Sequence, residues 1–136
     1  MSEVLRRAGR WIILDGAHNP QAMDRFCRTL EASPWARTPK LFVVGVLKDK
    51  DHAAIARRLG PLVRNAVTVE PPSPRALDSG RLAAELLAFA PGARITALRR
   101  PEEAIAAWRG NGSPVACVVG SFYLVAAARR ILGAKE

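Results

Sequence analysis

Six consecutive residues, Asp15-Gly16-Ala17-His18-Asn19-Pro20, carry an unusual density of functional groups. Asp15 offers a carboxylate that accepts hydrogen bonds from hydroxyls or amides, and His18 an imidazole that can donate or accept them. Asn19 followed by Pro20 has the form of a helix N-cap and first helical residue. The segment follows a short apolar run, Trp11-Ile12-Ile13-Leu14, that reads as a buried strand. A strand that empties into an acidic, glycine-containing turn and then opens a helix is where doubly wound α/β proteins place ligands. Each residue also has a plain structural role: Asp15 as a turn former, Asn19-Pro20 as a cap, His18 as a hydrogen-bonding ring.

The elements that must position this turn alternate along the chain. Strands are expected over Trp11–Leu14, Leu41–Leu47, Ala66–Val69, Arg94–Leu98 and Pro114–Val119. Helices are expected over Gln21–Ala32, Asp51–Leu59, Ser79–Ala90, Pro101–Trp108 and Phe122–Leu132, with Gly133 as a C-cap. Met23, Phe26, Cys27 and Leu30 recur at helical spacing and mark the inward face of the first helix. Leu41 to Leu47 is almost continuously apolar, as a strand covered on both faces should be. Five strand–helix alternations argue for an α/β fold. The architecture expected is a Rossmann-like three-layer sandwich, a mostly parallel sheet of five to six strands with helices on both faces.

In such folds the ligand lies outside the carboxyl ends of the strands. Nearly every polar group that looks out of place in this chain falls on that edge. The first strand ends in Asp15 to Asn19, and the second in Gly45-Val46-Leu47-Lys48-Asp49-Lys50-Asp51. The third ends in Pro71-Pro72-Ser73-Pro74-Arg75, the fourth near Arg99-Arg100, and the fifth in Gly120-Ser121-Phe122-Tyr123. Ser121 is a natural N-cap, and a Gly-Ser pair at a strand-to-helix junction also presents backbone N–H groups to an anion. Arg75, held after three prolines, is placed as an anion clamp would be. Lys48 is a weaker anion contact, and the loop around it is equally a solvated turn with Asp51 capping the next helix.

Composition narrows the classes. The 136 residues suit one domain, 49% hydrophobic, with a mean hydropathy of +0.03. No apolar stretch approaches the roughly 20 residues of a membrane helix, and Met1 to Arg10 is polar and arginine-rich, without the apolar core of a signal peptide. The chain reads as cytoplasmic, with no membrane partner. Cys27 and Cys117 have no metal-like spacing and read as buried thiols. The net charge of +9 is spread through every segment, and the three Trp, one Tyr and four Phe are not interleaved with Arg as a stacking platform requires. Nucleic acid is therefore not expected as a partner. There is no P-loop, no G-x-G-x-x-G after the first strand, no serine nucleophile elbow and no Cys/His metal cluster. A nucleotide bound at the rim would need a site completed elsewhere.

These residues resemble the C-terminal domain of folylpolyglutamate synthase/dihydrofolate synthase, a branch of the ADP-forming Mur ligases. The resemblance rests on Leu14-Asp15-Gly16-Ala17-His18-Asn19-Pro20, on Gly45-Val46-Leu47-Lys48-Asp49-Lys50-Asp51 and on Gly120-Ser121-Phe122-Tyr123-Leu124-Val125, in the family's order and spacing. Pro74-Arg75-Ala76-Leu77 is similar to a fourth, weaker signature, and the likeness spans essentially the whole chain. It implies a two-domain, monomeric enzyme in which ATP phosphorylates a carboxylate and the amine of L-glutamate attacks the acyl phosphate. A larger N-terminal domain would hold the P-loop, Mg2+ and the folate or dihydropteroate site. By resemblance Asp15 and Asn19 lie on the ATP side, and His18 and Ser121 on the glutamate side. Residues 1–136 are then a single C-terminal domain with that N-terminal P-loop domain absent.

One feature of the family is missing. Its Pro-Gly-Arg stretch, whose Arg reaches ATP, would fall where this chain has Met1-Ser2. The expectation is an excised domain, inactive alone because it cannot hold the γ-phosphate and magnesium. The alternative is a stand-alone Rossmann-like module that binds glutamate or a nucleotide without catalysis.

Overall fold

The computed structural model describes residues 2–133. Its six strands are β1 (Ser2–Arg7), β2 (Arg10–Asp15), β3 (Lys40–Val44), β4 (Asn65–Thr68), β5 (Arg94–Ala97) and β6 (Val115–Val119). Five α-helices, α1 (Pro20–Glu31), α2 (His52–Leu59), α3 (Ser79–Ala88), α4 (Pro101–Asn111) and α5 (Phe122–Leu132), connect or follow them. One sheet forms in the order β1-β2-β6-β3-β4-β5. All neighbours pair parallel except β1 and β2, which are antiparallel. The mostly parallel α/β sandwich expected from the alternation is the fold observed.

Strand periodicity divides the core in two. Ile13, Phe42, Val44, Cys117 and Val119 face a layer made by α1, α2 and α3, with Met23, Phe26, Ile55, Leu82 and Leu86 packed on them. Ile12, Leu14, Leu41, Val43, Ala116 and Val118 face the opposite layer, where Ile105, Trp108, Leu124 and Ala128 come from α4 and α5. Every residue of β6 is buried, as the central strand of a doubly covered sheet requires.

The structure corrects several boundaries. The second expected strand ends at Val44, because Gly45, Val46 and Leu47 leave the sheet; Leu47 instead pairs in an isolated bridge with Ala76. Helix α4 continues past Trp108 to Asn111 and stops at Gly112, whose φ of 79° makes a left-handed cap. Helix α3 stops at Ala88 rather than Ala90. Strand β1 and its hairpin were not expected. Met1 lies outside the described residues, but the rest of the polar start pairs from Ser2 to Arg7 against Asp15 to Arg10, with Ala8 and Gly9 both at positive φ in the turn. This is an edge strand whose side chains are exposed or half-buried, so it lacks the apolar alternation that reveals interior strands.

The carboxyl ends of the strands draw close through two glycines. Gly120 has φ 121°, and a Cβ there would collide with the Gly45 carbonyl. The Gly45 amide donates to Val119 O at 3.3 Å. Gly120→Ala should therefore cost about 3 kcal/mol from strain and collision together. Gly110→Ala, in open space on the exposed face of α4, should instead gain up to about 1 kcal/mol. Urea unfolding of the two variants checks the contrast.

Cys27 and Cys117 are free, buried thiols. Burial pushes the Cys27 thiol up to about 11 and the Cys117 thiol up to about 12, from an ordinary 9.0. The unfolded chain thus loses these protons first as pH rises. Their stabilising effect is complete below pH 9 and is lost progressively through pH 11 to 12. The unfolding midpoint should fall over that interval, and fall less in a Cys27→Ala/Cys117→Ala variant.

Candidate functional site

The helix layers determine where a ligand can enter. The chain leaves β2 for α1 on one face and leaves the adjacent β6 for α5 on the other. The two connections diverge and open a crevice at the carboxyl ends of β2 and β6. Asp15 stands opposite Val119 in that pairing, so the Asp15–Asn19 turn and the Gly120-Ser121-Phe122 junction are its two lips.

Asp15 is only 5% exposed. It lies two residues beyond Ile13, so strand alternation directs its side chain toward the α1 layer. Its Oδ1 accepts from the Ala17 amide at 2.9 Å, closing the turn, and its Oδ2 accepts from the Ser2 hydroxyl at 2.6 Å. Asn19 caps α1 through Oδ1, which accepts from the Ala22 amide at 2.8 Å, and Pro20 follows at the first helical position. His18 is fixed at one nitrogen. Its Nδ1 lies 3.0 Å from Gly16 O, a carbonyl that can only accept, so Nδ1 carries the proton and Nε2 has no protein partner among the described residues. The ring leans on Phe122, with centroids 4.8 Å apart and planes at 51°.

Phe122 is 65% exposed, and its ring covers Gly16, where any Cβ would strike it. Ser121 is 2% exposed, and its Oγ accepts from the amides of Tyr123 at 3.0 Å and Leu124 at 3.4 Å. The hydroxyl therefore caps α5 rather than standing open in the crevice. Around the turn lies an open depression of about 600 Å3, lined by Ser2, Asp15 to Asn19, and Phe122.

The remaining two candidates sit further along the rim. The loops that follow β3 and β4 are stitched together by Lys48 N donating to Arg75 O at 2.7 Å and Leu77 N donating to Val46 O at 2.9 Å. Arg75 Nη1 contacts Asp49 Oδ2 at 2.6 Å. The hydrogen bond to Asp49 is the main cause that raises the Arg75 pKa, with a smaller contribution from Tyr123. Lys48 is exposed, and its side chain joins no ion pair among the described residues. The structure thus brings Asp15, His18 and Asn19 to one depression. It places Ser121 on the facing lip, and Lys48 and Arg75 on a separate part of the rim.

Sequence reasoning missed three contributors. Ser2 reaches Asp15 only because of the hairpin. Arg25 and Thr29 project from the polar face of α1 into the depression, six and ten residues after Asn19. A reading of α1 for its apolar stripe passes over them, although their helical spacing from the cap was the available signal.

The divergent connections and polar rim are those of an α/β domain with an open crevice at the carboxyl ends of its strands. Residues 2–122 match the family described as Mur ligase, glutamate ligase domain. The chain belongs to that family. The folylpolyglutamate synthase of Thermotoga maritima superposes with a TM-score of 0.84 at 30% identity, covering 96% of this chain and 30% of that one. The enzyme of the same name from Mycobacterium tuberculosis, complexed with ADP, gives 0.80 at 29% identity, covering 96% and 31%. In Halobacterium salinarum, a protein named probable bifunctional folylpolyglutamate synthase/dihydropteroate synthase is 34% identical over 120 residues, 87% of this chain and 14% of its own length. The chain thus spans less than a third of each of these relatives. None of its helices, among the described residues, is long and apolar enough to cross a membrane.

The Asp15 turn is open to a direct stability test. Asp15→Ala removes the acceptor of the buried Ala17 N–H and should cost about 1–3 kcal/mol. Asp15→Asn keeps an oxygen for that amide and should cost less than about 1 kcal/mol. Thermal unfolding of the two variants distinguishes them.

Proposed function

We propose that the chain is the C-terminal domain of an ATP-dependent, ADP-forming ligase that joins L-glutamate to a folate or dihydropteroate carboxylate. The observation that carries the reading is the Asp15 carboxylate at the β2–β6 crevice, with one oxygen holding its own turn and the other already bonded to a hydroxyl. An oxygen that accepts from the Ser2 hydroxyl can accept from a ribose hydroxyl in the same way, so the site fits the sugar of ATP. Asn19 orients the turn by capping α1 and lies on the same side. His18 presents Nε2 as an acceptor, or as a donor when protonated, on the side assigned to glutamate. Ser121 acts there by holding the first turn of α5, whose positive end favours a carboxylate.

Among the described residues no group of three or more His, Cys, Asp or Glu side chains could hold a metal ion. The proposal assigns the ion and the ATP phosphates to an N-terminal P-loop domain, with Lys48 and Arg75 as rim cations toward the joining face. Without that domain the chain would bind at most half of each substrate.

The test uses the complete two-domain enzyme and follows glutamate-dependent ADP release. Asp15→Asn should raise KM for ATP about tenfold, the loss expected for one charge-assisted hydrogen bond, with little change in KM for glutamate. His18→Gln should do the reverse. Unchanged turnover and KM in both variants would overturn the assignment.

A further inference from the structure

The opposite edge of the sheet, where the parallel strands begin, carries a second depression that the proposed ligase site does not use. It is an open basin of about 620 Å3 between the end of α1, the loop over residues 33–39 and the turn over residues 61–65. Arg37, Lys40 and Arg64 line it. The one carboxylate on its wall, Glu31, lies 3.5 Å from Arg58 and is already paired.

The three cations are not equivalent. Lys40 Nζ donates to Ala36 O at 3.2 Å and Thr38 O at 2.8 Å, and burial lowers its pKa. It serves the loop. Arg37 and Arg64 have exposed side chains with no hydrogen bond or ion pair among the described residues. They come from separate segments, the loop before β3 and the turn before β4, so they reach the basin from two sides. Guanidinium groups bind phosphate and carboxylate oxygens in pairs, and two of them without a competing acid suit more than one anionic group.

We propose that this basin binds a small polyanion carrying at least two phosphate or carboxylate groups, clamped by Arg37 and Arg64. Walls such as Leu30 and Leu62 give its uncharged part apolar contact.

The experiment is an amide NMR titration of this chain at low salt, with pyrophosphate in one arm and tetraglutamate in the other. Saturable shifts should concentrate at residues 37–40 and 61–65 and leave residues 15–19 unmoved. The double variant Arg37→Gln/Arg64→Gln should bind at least about tenfold more weakly, with its spectrum otherwise intact because both side chains are exposed. A response to pyrophosphate alone supports a phosphorylated ligand; a response to tetraglutamate alone, or to both, supports one that carries carboxylates. No saturable shift with either probe, shifts confined to the Asp15 turn, or equal affinity in the double variant would overturn the proposal. The readout involves neither ATP nor catalysis, so its failure is separate from any failure of the ligase assignment.

Discussion

Close approach of two main chains at Gly120 and Gly45 is the constraint on which the rim depends. The carbonyl of Gly45 occupies the space a side chain on Gly120 would need, and Gly120 itself turns at φ 121°. A Cβ on Gly45 would in turn press on Val69 O at 2.9 Å. Three strand ends, β6, β3 and β4, therefore meet where neither glycine has room for a Cβ. Gly120 can then deliver Ser121 directly to the start of α5, and Gly45 can lead Val46 and Leu47 out toward the Arg75 loop. Any side chain at these two points would spread the loops that form the lips.

What the rim gains is a set of side chains immobilised by local hydrogen bonds. Asp15, Asn19 and Ser121 each bond a nearby amide, and His18 bonds the carbonyl of Gly16. Structural and functional roles coincide here. The Asx turn at Asp15 uses one oxygen and orients the other, so the bond to Ala17 is what aims the group that faces Ser2. The same holds for His18, whose bonded Nδ1 determines which nitrogen remains for a ligand.

Much of this was legible in the chain. Interior strands announced themselves through runs such as Leu41 to Val44, which must be apolar on both sides to sit beneath two helix layers. Helices announced themselves through Asn19-Pro20, Asp51 and Ser121, all confirmed as caps. The placement of the Asp15 turn followed from the strand–helix order alone. Strand β1 was not legible, because an edge strand buries little and the side chains of Ser2–Arg7 are all exposed or half-buried. Nor was the place of β6 between β2 and β3. Pairing order depends on which strands pack centrally, and Val115–Val119 differs little in composition from Leu41–Val44. Without that order the crevice between β2 and β6 has no address, and Ser2 has no reason to be near Asp15.

The missed hairpin also accounts for part of the arginine content. Arg10 sends Nε and Nη2 to Ser113 O at 3.0 and 2.8 Å and lies 4.0 Å from the centre of the Trp108 ring. Arg7 Nε donates to Leu132 O at 3.2 Å, and Arg129 pairs with Glu3. Arg10 Nη1 also donates to Arg109 O at 3.3 Å in the last turn of α4, and Leu132 ends α5, so both guanidiniums sit where positive charge opposes the helix dipole. A flat guanidinium can stack on Trp108 and bond several carbonyls together, which an ammonium cannot. The hairpin thus fastens the far ends of both helices of its layer, while its other strand end supplies Ser2 to the Asp15 turn. Positive charge in this chain is for the most part tied to helix ends, aromatic faces and acids: Arg58 with Asp24, Arg81 with Glu85, Arg57 over Phe89. Against that background, Arg37 and Arg64 face one basin whose only lining carboxylate, Glu31, is engaged by Arg58.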